Sequence, residues 1–125
     1  MEQEIRRVNI DNIDFLELCK ELDNLLNKIV AEQRYPNANC LEGLDRFNVY
    51  IMYKKRKPVG FVAFSNVING VVEIGLVFVK EKYRCYGVAT KLFEYAENIA
   101  KDQGAKSLIL DTYERLEQAY MESIE

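Results

Sequence analysis

Two hydrophobic periods run along this chain, and the points where one gives way to the other mark its elements. Ile5 to Ile10 reads as a short first strand. Phe15, Leu18, Cys19, Leu22, Leu25, Leu26 and Ile29 then recur at the spacing of one helix face, and Asp14 with Glu17 three residues later reads as the capping box that starts that helix. Tyr35-Pro36-Asn37-Ala38-Asn39 breaks it, giving a polar loop that leads into a short turn of helix before Asp45. At Phe47 the period drops to two. Phe47, Val49, Ile51 and Tyr53 face one way, a turn covers Lys54 to Pro58, and a strand runs from Val59 to Phe64. Asn69-Gly70 closes a second hairpin into a third antiparallel strand, Val71 to Val79.

Beyond a short cationic loop the period returns to that of a helix. Val88, Leu92, Ala96 and Ile99 lie beside Ala89, Phe93 and Ala100 on one broad apolar face, and Gly104 stands where a helix-ending glycine belongs. Ser107 to Thr112 is the next strand. Because a helix separates it from Val71 to Val79, a parallel crossover is expected between the two. The expected fold is therefore α/β, a single domain over residues 1–125 with a mixed sheet and helices on its faces.

Composition narrows the chemistry more than the fold. The chain has 125 residues, 30% of them charged, with a formal net charge of −3. Its sequence pI near 5.2 argues against general nucleic-acid binding. No apolar run approaches the roughly 18 residues that a membrane span needs, and the charged opening residues Glu2, Glu4, Arg6 and Arg7 do not read as a secretory signal. Cys19, Cys40 and Cys85 are widely spaced, as reduced cytoplasmic thiols are, and no metal site is expected. With no histidine in the chain, Ser-His catalysis and histidine metal ligation are excluded.

The loop before the second helix carries the sharpest signal. Lys80, Lys82, Arg84 and Lys91 cluster there with only Glu81 opposing, against the sign of the whole chain. Gly87 sits where the helix begins, and a residue without Cβ lets an anion approach the unpaired N–H groups of a helix start. Neither the P-loop pattern nor the three-glycine dinucleotide fingerprint is present. What is present is R-x-x-G-x-A, read as Arg84, Cys85, Tyr86, Gly87, Val88 and Ala89, preceded by Leu76-Val77-Phe78-Val79 and followed by Thr90 and an amphipathic helix.

That stretch resembles the acyl-CoA pyrophosphate loop of the GNAT family of N-acetyltransferases, and the order of elements resembles that family over nearly the whole chain. The resemblance implies an acetyl-CoA-dependent transfer to an amine-bearing small molecule or peptide, by direct attack in a ternary complex. It implies that Arg84, Cys85, Tyr86, Gly87, Val88, Ala89 and Thr90 cradle the pyrophosphate. Val77, Phe78 and Val79 would hold the pantetheine arm through the backbone.

Acyl transfer also needs a route for the amine proton. Glu73 is an ionisable residue inside the apolar run Val71 to Val79, and period-two parity sets it on the face of Gly75, Val77 and Val79. Burial raises a carboxyl's pKa, which suits a general base, and the acidic residue of this strand resembles the base of some family members. Tyr113 and Tyr120 follow the fifth strand, and Tyr120 is the candidate acid toward the leaving thiolate. Glu21, Asp23 and Glu32 with Tyr35 are candidates to receive a cationic acceptor. The family pattern continues through an aromatic helix, which Ser123-Ile124-Glu125 or, in another register, Tyr120 and Met121 would begin, and two further strands expected to be absent here, so an exposed strand edge and self-association through the C-terminal region are expected. A non-catalytic module that binds acyl-CoA or pairs with another chain stays open beside the enzyme.

Overall fold

The computed structural model describes residues 3–33 and 47–110. The expected loop at Tyr35 to Asn39, the turn before Asp45, and Tyr113 and Tyr120 lie outside the described residues.

Five strands form one sheet in the order β1 (Gln3–Val8), β2 (Asn48–Lys54), β3 (Lys57–Phe64), β4 (Val71–Val79) and β5 (Ser107–Leu110). The first three pairings are antiparallel and the last is parallel, as the intervening helix required. Helix α1 (Ile13–Gln33) covers one face, where Phe15, Leu18, Cys19 and Leu22 pack on Val49, Ile51, Phe61, Leu76 and Phe78. Helix α2 (Val88–Asp102) covers the other, placing Val88, Ala89, Leu92, Ala96 and Ala100 on Val62, Phe64, Val72, Ile74, Val77 and Val79. With both faces covered, β3 and β4 are nearly continuous apolar runs. Each large side chain buried this way contributes roughly 1.5–3 kcal/mol, and the Phe15 and Phe61 rings meet edge to face at 5.0 Å.

Turn chemistry sets the hairpins. Asn69 and Gly70 adopt positive φ of 53° and 77°, the pair of left-handed residues that matches strand twist in a two-residue turn. At the end of α2 the Gly104 N–H donates to the Lys101 carbonyl and the Ala105 N–H to that of Ala100, which satisfies the last turn of the helix.

Three expectations are corrected. Strand β1 covers Gln3–Val8 rather than Ile5 to Ile10, because its register runs from Gln3 opposite Lys54 to Val8 opposite Val49 and the chain turns at Asn9. The cap of α1 is Asn12, whose Oδ1 accepts the Phe15 N–H at 3.1 Å. Asp14 instead accepts a hydrogen bond from the Tyr53 hydroxyl at 2.7 Å. Burial, and then that bond to Asp14, push the Tyr53 phenol up to about 12.

The third correction bears on chemistry. Ala63 pairs with Leu76 and Phe64 with Ile74, so Gly75 is an extra residue in β4 and the strand bulges there. A bulge inverts the alternation. Val72, Ile74, Val77 and Val79 therefore share the α2 face, while Leu76 and Phe78 point to α1. Glu73, between Val72 and Ile74, belongs to the α1 face and not to that of Val77 and Val79.

Candidate functional site

From Val79 the chain passes through a single 3-10 turn, Glu81–Tyr83, and residues 84–87 before α2 begins at Val88. Cys85 and Gly87 both have positive φ, 70° and 79°. Gly87 is the residue that precedes the helix, and no side chain caps it. A Cβ placed there would meet nothing within 4 Å, so the backbone at the start of α2 faces open space.

Val88 and Ala89 bury their side chains in the core, and what they can offer a ligand is backbone N–H. The first-turn N–H groups of a helix have no acceptor within it and lie at the positive end of its dipole. Thr90 is exposed in the same turn. A small cavity of about 30 Å³ lies against these residues, bounded also by Val79, Tyr83, Arg84 and Cys85. Such a start of a helix is suited to an anion with several oxygens, as a diphosphate has.

Arg84 ties this loop to the sheet. Its Nε donates to the Val79 carbonyl at 3.0 Å, and its guanidinium lies 5.9 Å from the centre of the Phe78 ring. One nitrogen is thus engaged by the scaffold, and the cation is held at the wall of the cavity. Lys80 is fixed in the same manner, its N–H donating to the Val59 carbonyl and its Nζ lying 3.5 Å from the Glu21 carboxylate.

On the α1 side of β4 a wider groove opens between Glu21, Asn24 and Leu25 of α1 and Phe78, Lys80, Glu81, Lys82 and Arg84. Glu21 lines it, and Lys80 already meets its carboxylate. Asp23 is half-buried and outside that lining.

The structure therefore gathers Val79, Arg84, Cys85 and residues 87–90 around one cavity, whereas Tyr86 is exposed and lies outside its lining. It sets Phe78 in the adjoining groove and Val77 toward α2. Glu73 is half-buried farther back on β4, and Tyr120 lies outside the described residues. Two residues distant from it in the chain, Ser65 and Phe47, pack about the backbone of β4 at Glu73 and Gly75. Ser65 Oγ accepts the Glu73 N–H at 2.9 Å, and the Ser65 N–H donates to the Glu73 carbonyl at 2.8 Å. Phe47 stands against Gly75 at the bulge. A glycine inside a strand pattern was the available signal for that bulge. Among the described residues no group of three or more Cys, Asp or Glu side chains could hold a metal ion.

The chain belongs to the acetyltransferase (GNAT) family, whose model matches residues 15–120. This is a family of acetyl-CoA-dependent N-acetyltransferases. Solved structures share the fold. A PaiA N-acetyltransferase from Thermoplasma acidophilum in complex with coenzyme A is similar with a TM-score of 0.70 at 17% identity, over 97% of this chain and 86% of that one. The ribosomal-protein-alanine N-acetyltransferase from Brucella melitensis biovar Abortus 2308 gives 0.67 at 17%, over 90% and 81%. The aminoglycoside N-acetyltransferase AAC(6')-Iy in complex with CoA gives 0.62 at 21%, over 90% and 78%. No curated protein matches the chain by sequence.

Proposed function

We propose that this protein transfers the acetyl group of acetyl-CoA to a primary amine, by direct attack while both substrates are bound. The observation that carries this reading is the start of α2, where Gly87 leaves the backbone open to solvent with no Cβ contact within 4 Å and no side-chain cap, behind an anchored Arg84. Those features fit a diphosphate. Arg84, with the backbone of Cys85, Tyr86, Gly87, Val88, Ala89 and Thr90, would hold it, and the backbone of Val77, Phe78 and Val79 would hold the pantetheine arm.

When bound, acetyl-CoA supplies an activated thioester. The work of this chain is to hold it, admit the amine and take up a proton. Glu73 is the proposed base, accepting the ammonium proton on its carboxylate directly or through one water. The bulge supports that role, because it sets Glu73 on the same face of β4 as the groove beside α1. Tyr120 is the proposed donor to the leaving thiolate. The groove admits an amine from the α1 side, and relatives in fold named for ribosomal-protein alanine and for aminoglycosides span that acceptor class.

A cytoplasmic location and self-association through the C-terminal region complete the proposal. No described helix is long and apolar enough to cross a membrane. Sedimentation at micromolar concentration tests the second point, and a monomer would contradict it. Release of free CoA thiol with a panel of amines, after calorimetric titration with acetyl-CoA, tests the activity. Binding without thiol release would reduce the protein to an acyl-CoA-binding module.

A further inference from the structure

The β2–β3 turn carries a run of charge that folding alone does not require. Lys54, Lys55, Arg56 and Lys57 follow one another there, and the three lysines line an open depression of about 420 Å³ with Lys82, Tyr83 and Tyr86. Lys55, Arg56 and Lys57 are exposed, and none of these cations forms an ion pair among the described residues. Lys55 and Arg56 hold positive φ of 51° and 68°, where a two-residue turn favours glycine and asparagine. Adjacent like charges also repel one another. The turn keeps its charge at the expense of conformational ease.

The opposite charge is concentrated at residues 111–125. Asp111, Glu114, Glu117, Glu122 and Glu125 stand there against Arg115 alone, so this segment is more negative than the whole chain, whose formal charge is −3. β5 runs parallel to β4 with Leu110 opposite Ile74, so the chain leaves it toward the Val79 end of the sheet. Gly60 pairs with Val79, which puts the β2–β3 hairpin at that same end. Within one chain the direct path from Leu110 to the hairpin crosses the end of β4 at Val79, the space proposed for acyl-CoA. A second copy reaches the depression from outside.

We propose that the acidic segment 111–125 of a second copy docks in this depression, its carboxylates against Lys54, Lys55, Arg56, Lys57 and Lys82. The inference rests on the self-association proposed above and deepens it by naming the two surfaces that meet. Each copy carries one depression and one segment, so a two-fold axis closes both contacts at once. Tyr86 is 71% exposed and gives Leu116, Met121 and Ile124 of the incoming segment an aromatic neighbour among the cations.

Sedimentation of the full chain at micromolar concentration is the test. The native protein should be a dimer whose affinity falls at least about tenfold between about 0.05 M and about 0.5 M salt, because exposed charges are screened. Lys55→Glu/Lys57→Glu and Glu122→Lys/Glu125→Lys should each lose at least about tenfold in self-affinity. An equimolar mixture of the two should regain the dimer, since each segment then meets its complement. A variant carrying all these changes should also dimerise, which a misfolded protein would not. Native-like association of either double variant, or a mixture that stays monomeric, would overturn the inference and leave self-association to another surface. A native monomer would remove both. A monomer whose unfolding midpoint falls in each double variant and recovers in the combined one would place the segment on its own chain, and would also overturn the inference. Acetyl-CoA titration and thiol release read the acetyltransferase proposal separately.

Discussion

A Cβ built on Gly75 would stand 2.8 Å from Cε2 of Phe47, so any larger residue at the point where β4 bulges must displace the ring. The ring thus packs on the bulge that sets Glu73 on the α1 face of the strand. Gly75→Ala is expected to destabilise the protein by about 1–3 kcal/mol, the usual cost of overpacking. A second change, Phe47→Leu, should restore part of that loss. Equal unfolding midpoints for the native and Gly75→Ala proteins in denaturant titration would mean that the ring does not hold the bulge.

Glu73→Gln keeps the size of the side chain and removes its basicity. Turnover should fall by about a hundredfold or more, with acetyl-CoA affinity unchanged. The deficit should shrink as pH rises and free amine becomes plentiful. Unchanged turnover at neutral pH would return Glu73 to a structural role.

Tyr53 and Asp14 predict a pH dependence of stability. The folded phenol is pushed up to about 12 by burial and by its bond to Asp14, while an unfolded tyrosine ionises near pH 10. Its contribution is fully present below pH 10 and is lost as pH rises from about 10 to 12. Tyr53→Phe should cost about 1–2 kcal/mol at neutral pH and flatten that alkaline decline. An unaltered decline in the variant, followed by chemical denaturation between pH 8 and 12, would show that another group is responsible.

The sequence disclosed what local chemistry decides. Asn69-Gly70 must turn, Gly104 must end a helix, and the apolar run Val71 to Val79 must be a covered strand, so the sheet and both helices could be placed. The loop was legible because Gly87 and the cations about it are neighbours in the chain. Errors arose where a distant partner decides the outcome. Asp14 resembles a cap in the sequence because nothing nearby announces Tyr53, and simple alternation misplaces Glu73 because Phe47 and the bulge at Gly75 meet only in the folded sheet.

Titration of acetyl-CoA into the native protein and into Gly87→Asp tests the central claim most directly. Aspartate tolerates the left-handed backbone of Gly87 better than most residues, so the substitution chiefly adds bulk and negative charge where a phosphate would sit. The native protein should bind, and Gly87→Asp should lose at least about tenfold in affinity, or ~1.4 kcal/mol, while the uncharged Gly87→Asn loses less. Equal affinity of the native and Gly87→Asp proteins, or no binding by the native protein, would contradict the assignment of the start of α2 as the acetyl-CoA site.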